Sequence, residues 1–277
     1  MASMDEINKP DIKVIYGDDN RIEVHQADPF WRNKADSTAI QVFNRYIEEF
    51  DTHYKIKGPT LKQKHKYCDG QKFINQFAVG DCSGFLINDD LLVTAGHCMI
   101  NSSRCSGMSW VFGLYADQFG DSKTIFSKDD VYKCKKVITQ VLDGVTDYSV
   151  VRLDRKVTGR FPLEVRIKGK IKNRSPLVII GGPHGIPTKI ADNATVRRNI
   201  KSNAFMANLD SFGGNSGSAV FNGKTGVIEG ILVRGRQDKE YIKSKGCYIV
   251  NYLPMTTAQP ETVSRITNIT NLSTYLQ

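Results

Sequence analysis

Apolar residues in this chain fall in short runs separated by turn formers, and along many of them apolar and polar side chains alternate, the repeat of a strand with one face buried. Phe73 to Phe77, Ser83 to Ile87, Leu91 to Thr94, Trp110 to Leu114, Val131 to Val141 and Tyr148 to Leu153 read as strands in the first half. Pro176 to Ile180, Ser218 to Phe221 and Val227 to Val233 do so in the second, the last two joined by an Asn222-Gly223 turn as a hairpin. Val165, Ile167 and Ile171 alternate with Arg166, Lys168, Lys170 and Lys172, which predicts a strand with a wet, basic face. Ser37 to Phe43 predicts a first strand, yet Phe43, Tyr46, Ile47 and Phe50 fall at helical spacing, so a short amphipathic helix follows or replaces it. Ahead of it, Ile12 to Tyr16 and Arg21 to His25 flank Gly17-Asp18-Asp19-Asn20 as a small hairpin.

A chain of 277 residues, 40% hydrophobic and 24% charged, can bury one large core or two modest ones. No run approaches the ~18 apolar residues of a membrane span. Of the net charge of +9, Lys62, Lys64, Lys66 and the face around Lys170 are expected to contact anionic surfaces or acidic protein segments. No recognition motif accompanies the charge, so no nucleic-acid partner is expected. Six cysteines, an even number, point to oxidising export and a secreted or periplasmic protein, whereas Met1 to Glu6 lacks the basic and apolar regions of a signal peptide. None of the cysteines has the close Cys/His spacing of zinc, so no metal is expected.

The candidate chemistry lies in Gly213-Gly214-Asn215-Ser216-Gly217-Ser218, where glycines allow a tight turn that presents the Ser216 hydroxyl beside the backbone amides of Gly214 and Ser216. Acyl transfer by a serine needs a base and a carboxylate that orients it. The candidate base is His97, in Thr94-Ala95-Gly96-His97-Cys98; the candidate carboxylate is Asp147, which opens the run Tyr148 to Leu153. His184, near Gly185 and Pro187, reads as structural, and His25, His53 and His65 carry no partner signal.

In these three motifs and their order the chain resembles the trypsin-like (chymotrypsin-fold) serine proteases, and most of all the bacterial branch with the glutamyl endopeptidases, whose serine is also preceded by Gly-Gly-Asn and followed by Gly-Ser. The resemblance covers about Ser37 to the C-terminus. It implies an all-β fold of two six-stranded antiparallel barrels with the active site in the cleft between them, and a last strand and closing helix at Val263 to Thr267 and Asn268 to Leu276. The division is then a leader or propeptide-like segment (1–35), an N-terminal barrel (36–155) and a C-terminal barrel with the helix (156–277). The resemblance also implies a Ser216–His97–Asp147 triad, an oxyanion hole at Gly214 and Ser216, a Cys82–Cys98 disulfide, a protein or peptide substrate and no cofactor. Cys68, Cys105, Cys134 and Cys247 can pair in three ways. Animal enzymes carry, just before the serine, an Asp that pairs with a newly cut amine; Asn215 stands here, which argues against that activation. Asp210 occupies the place of the trypsin pocket carboxylate and predicts cleavage after Arg or Lys. Ser211 occupies the place of a hydroxyl that contacts acidic side chains in the glutamyl endopeptidases, but their pocket histidine is replaced by Leu232. The alternatives are a glutamate-preferring enzyme, a protease held latent by its leader, and a binding module on the same scaffold.

Overall fold

The computed structural model describes residues 14–143, 146–235, 238–256 and 260–277. They form two closed six-stranded antiparallel barrels with connecting loops and short peripheral strands. The first consists of β1 (Thr38–Phe43), β2 (Gly80–Asn88), β3 (Leu91–Thr94), β4 (Met108–Phe112), β5 (Val131–Leu142) and β6 (Asp147–Leu153), paired in the order β5-β6-β3-β2-β1-β4 and closed by β4 on β5. The second consists of β7 (Pro176–Gly181), β8 (Lys189–Arg198), β9 (Ala204–Ala207), β10 (Ala219–Asn222), β11 (Ile228–Arg234) and β12 (Glu261–Arg265). Its order is β7-β10-β11-β12-β9-β8, closed by β8 on β7.

Several of these strands are apolar on both faces because each face has its own core. Along β7, Leu177 and Ile179 join Phe205, Val220 and Val263 inside the second barrel. Val178 and Ile180 join a cluster with Phe85, Leu92, Trp110 and Phe221 that draws on strands of both barrels. Burying a side chain contributes about 1.5–3 kcal/mol, whether it is Phe205 inside the second barrel or Phe221 in the cluster that both barrels share. The Asn222-Gly223 region turns β10 into β11 as the pattern predicts.

Four local expectations are corrected. The two N-terminal strands do not pair with each other: Ile15–Tyr16 lies parallel to Tyr252–Leu253, and Ile22–Glu23 lies antiparallel to β8 at Lys189 and Ile190. Ile12 lies outside the described residues. The spacing of Phe43, Tyr46, Ile47 and Phe50 reflects a 3-10 turn at Asn44–Tyr46 and a short strand Ile47–Glu49, not an α-helix. Phe73 to Phe77 is a series of turns with Phe73 at φ 64°. The alternating Val165 to Lys172 makes a single bridge, Val165 to Ile228, and Gly169 at φ 74° turns the chain away, leaving Ile167 62% exposed. The closing helix is one turn, Leu272–Tyr275, after a 3-10 turn at Ile266–Asn268.

Residues 14–35 therefore clasp the second barrel. Asp28 caps the helix Pro29–Ala35 by accepting from Trp31 N–H (3.1 Å), and the Trp31 ring meets Phe221 edge-on at 5.7 Å. Three disulfides join Cys82 to Cys98, Cys105 to Cys134 and Cys68 to Cys247. Among the described residues no helix is long and apolar enough to cross a membrane.

Candidate active site

β3 ends at Thr94 and passes into a 3-10 turn, Gly96–Met99, that carries His97 to the mouth between the barrels. Asp147, the first residue of β6 and only 4% exposed, holds that turn twice. Its Oδ1 accepts the His97 backbone N–H (3.1 Å) and its Oδ2 lies 2.8 Å from His97 Nδ1. A carboxylate there places the ring proton on Nδ1 and leaves the Nε2 lone pair to act as a base. Gly96 is required by the approach, since a Cβ would fall 2.2 Å from the Val141 carbonyl oxygen. The Cys82–Cys98 disulfide packs against the ring, with Cys82 Sγ, Cys98 Sγ and a His97 ring nitrogen within 4.8 Å of one another. Both sulfurs are consumed in that bond, so the trio offers a metal no thiolate.

The serine turn is held from the other barrel. Ser83 N–H, on β2, donates to the Ser216 carbonyl (2.7 Å), and Ser83 Oγ donates to the Gly214 carbonyl (2.8 Å) while accepting from Gly182 N–H (2.9 Å). Thr94 Oγ1 in turn donates to the Ser83 carbonyl (2.7 Å). One fully buried serine thus ties the turn bearing Ser216 to the strand that leads into His97. Ser83 escaped notice in the sequence because a small polar residue inside an apolar strand carries no motif; its place on a strand flanked by Cys82 was the available clue. Within the turn, Gly214 (φ 91°) and Gly217 (φ 87°) adopt backbone conformations that favour glycine. A Cβ on Gly217 would stand 2.1 Å from the Ser83 carbonyl oxygen. Asn215 is buried, accepts from Ser218 N–H (2.9 Å) through its carbonyl and lies near Ser218 Oγ through its side chain.

Of the three residues expected to read the substrate, Asp210 and Ser211 come together and Leu232 stands apart. Leu232 sends its side chain into the second barrel's interior, and only its backbone serves the site, accepting from Gly217 N–H (2.8 Å) and donating to the Ser218 carbonyl (3.0 Å). Asp210 accepts from Tyr16 N–H (2.8 Å) and Asn20 N–H (3.2 Å). Burial pushes its carboxyl up to about 7, with those two donors opposing the rise and Asp19 adding to it. Ser211 Oγ donates to Glu261 Oε2 (3.2 Å), and Tyr16 Oη donates to Glu261 Oε1 (3.4 Å). Glu261 is fully buried and was missed in the sequence, because a Glu at the head of the mixed stretch Thr262-Val263-Ser264-Arg265-Ile266 reads as an ordinary strand end.

Buried charge continues behind the turn. Arg21 pairs with Asp19 (2.6 Å), and Lys189 pairs with Glu23 (3.0 Å). Burial lowers the Lys189 ammonium to about 8 against the pull of Glu23. Asn215 borders a small pocket of about 10 Å³ whose wall includes Arg21, Lys189 and Asp210. On the other side of the histidine turn, a groove of about 510 Å³ is lined by Met99, Ile100, Cys105, Cys134, Val137 and Gln140.

A solved structure of a Glu endopeptidase in complex with MPD is similar to this chain with a TM-score of 0.55, covering 95% of this chain and 98% of its own at 17% sequence identity. At that identity the likeness is one of fold, the chymotrypsin-like pair of barrels. No curated protein matches. The model of the trypsin-like peptidase domain matches residues 82–231, more than half of the chain and the stretch that runs from the disulfide at the histidine turn through the serine turn to β11. The chain belongs to the trypsin-like peptidase family.

Proposed function

We propose that this hydrolase is a serine endopeptidase whose triad is Ser216, His97 and Asp147 and which cleaves after Arg or Lys. The observation that carries the triad is the double hold of Asp147 on His97, ring and backbone together, opposite a serine turn pinned by Ser83. His97 Nε2 takes the proton of the Ser216 hydroxyl as Oγ attacks the substrate carbonyl, and the C=O electron pair moves onto oxygen. The N–H groups of Gly214 and Ser216 stabilise that oxyanion. His97 then passes the proton to the leaving amine, the C–N bond breaks and an acyl-enzyme remains; water, deprotonated by the same imidazole, releases the acid. The cleft between barrels 36–155 and 156–277 receives the peptide. Three disulfides support an oxidising compartment, secreted or periplasmic.

The preference for a basic residue rests on two carboxyl groups next to Ser211: Asp210, the residue before it, and Glu261, which accepts its hydroxyl. An acidic side chain brought there meets like charge, and the Ser211 hydroxyl that would greet it already donates to Glu261. The neighbouring Glu endopeptidase makes glutamate the competing reading. A peptide panel differing only at the residue before the scissile bond (Arg, Lys, Glu, Phe, Val) tests the preference: kcat/KM should be highest for Arg or Lys, and a maximum at Glu rejects the proposal. With the Asp210 carboxyl near 7, the charged form that attracts a cation appears as pH rises. KM for the Arg peptide should therefore fall between pH 6 and 8, while KM for the Phe peptide stays level.

A further inference from the structure

The glycine pair Gly213-Gly214 has no side chains with which to fix its own peptide plane, yet oxyanion stabilisation at Gly214 requires that plane to point one way. A second set of largely buried polar groups, apart from His97 and Asp147, meets it. His184 N–H donates to the Gly213 carbonyl, and Asp238 Oδ2 accepts the Gly213 N–H (3.0 Å). The same Asp238 oxygen lies 3.7 Å from His184 Nδ1, and His184 Nε2 is 2.7 Å from Tyr67 Oη. In a trans peptide the C=O of one residue and the N–H of the next point in opposite directions. The backbone N–H of His184, by fixing the Gly213 carbonyl, therefore fixes the direction of the Gly214 N–H at the opposite edge of the same plane, while Asp238, on the Gly213 N–H, holds the preceding Phe212–Gly213 plane.

His184 accepts an unfavourable backbone to do this: φ is 53°, in the left-handed region that favours glycine. Its neighbours leave Gly214 no slack, since a Cβ there would stand 2.6 Å from both the Gly182 carbonyl oxygen and Gly185 N. The ring is 5% exposed, packed against Phe212 (4.5 Å between centroids) and His65 (4.6 Å). The charged and titratable groups around it are Asp238, Tyr67, His65, Arg21, Lys239 and Lys64. Burial first, and then the neighbouring His65, Arg21, Lys239 and Lys64, hold the His184 imidazole well below its ordinary value.

We propose that His184, Asp238 and Tyr67 are positioning residues for the oxyanion loop, a largely buried Asp–His–Tyr assembly that sets the Phe212–Gly213 and Gly213–Gly214 peptides rather than touching substrate. The proposal rests on the reading of Gly214 and Ser216 as the oxyanion donors. Its test is steady-state kinetics on Asp238→Ala, Asp238→Asn, Tyr67→Phe and Ser216→Ala in the full chain. Asp238→Ala should lower kcat by about 10–100-fold, less than the 10²–10³-fold loss of a donor itself, with KM changed less than threefold. Asp238→Asn retains an oxygen that accepts from Gly213 N–H and should recover most of kcat, a rescue that bulk destabilisation does not produce. Tyr67→Phe removes the hydroxyl 2.7 Å from His184 Nε2 and should lower kcat in the same direction as Asp238→Ala but by less, with KM again changed less than threefold. The proposal is overturned if Asp238→Ala keeps kcat within twofold, or if Asp238→Asn loses as much as Asp238→Ala. Turnover retained by Ser216→Ala would instead remove the active-site reading on which it stands.

Discussion

Asp147→Asn is expected to lower kcat about 10⁴-fold while the protein stays folded. Asparagine keeps an oxygen for the His97 backbone N–H, so the turn that Asp147 Oδ1 holds should survive. Where Oδ2 now lies 2.8 Å from Nδ1, however, it places an NH2 group, which donates. The imidazole then accepts at Nδ1 and carries its proton on Nε2, the nitrogen that must receive the Ser216 proton. The base is present but already protonated at the atom that matters. Ser216→Ala should remove turnover to the same floor or below, and the two substitutions together should cost little more than either alone, because the groups act as a unit. Thermal unfolding of both variants within a few degrees of the parent, alongside lost activity, is the expected pair of results. Asp147→Asn turnover within tenfold of the parent would rule Asp147 out as the orienting carboxylate.

Lys189→Met should be the most damaging of the conservative-sized changes to stability, at about 3–5 kcal/mol. Lys189 and Glu23 are both about 95% buried or more and lie 3.0 Å apart. Lys189 Nζ also donates to Gln76 Oε1 (2.8 Å) and the Pro187 carbonyl (2.8 Å), and Gln76 Nε2 donates to Glu23 Oε1 (2.7 Å). Three side chains thus form a closed polar ring in the interior. Removing the ammonium leaves a buried carboxylate with one amide to face it, and the desolvation of that charge is then uncompensated. For a chain of this size the loss corresponds to a fall in Tm of roughly 6–20 °C. The double variant Lys189→Met/Glu23→Gln leaves no charge behind and should recover much of that loss. If Lys189→Met melts within two degrees of the parent, the pair contributes nothing, and the segment bearing Glu23 is held by other contacts.

What could be read from the sequence was local or nearly so. Strand patterns such as Tyr148 to Leu153 lie within one element, and the His97 and Asp147 motifs each announce themselves in a few residues; the structure sets those two side by side. The two-barrel fold followed from the resemblance those motifs carry. Misreadings arose where the deciding partner was remote. Ile15–Tyr16 and Ile22–Glu23 looked like a hairpin because a turn separates them, but their partners, Tyr252–Leu253 and Lys189–Ile190, lie far along the chain. Asp210 was found by its distance from the serine, while its donors, Tyr16 and Asn20, lay in a stretch that looked like a leader. Val165 to Lys172 alternates as a strand should, but alternation states a preference and provides no neighbour: beyond the Val165 bridge no ladder forms among the described residues. His184 reads as structural, and its ring is indeed buried against Phe212 and His65; its φ of 53° is what leaves no mark in composition.

The clasp of residues 14–26 on the second barrel sets an order of events during synthesis. Synthesised before either barrel, this segment has no place to dock until β8 and the Tyr252–Leu253 strand have followed it out. The first barrel has all six of its strands by Leu153 and can close while its own N-terminal extension is still loose. Asp19, Arg21 and Glu23 stay hydrated through that interval, and the Lys189–Glu23 and Tyr16–Asp210 contacts form only once the second barrel exists to receive them. The backing of the serine turn is therefore among the last parts of the molecule to be assembled, and a nascent chain stalled after the first barrel would carry the paired His97 and Asp147 without the serine turn.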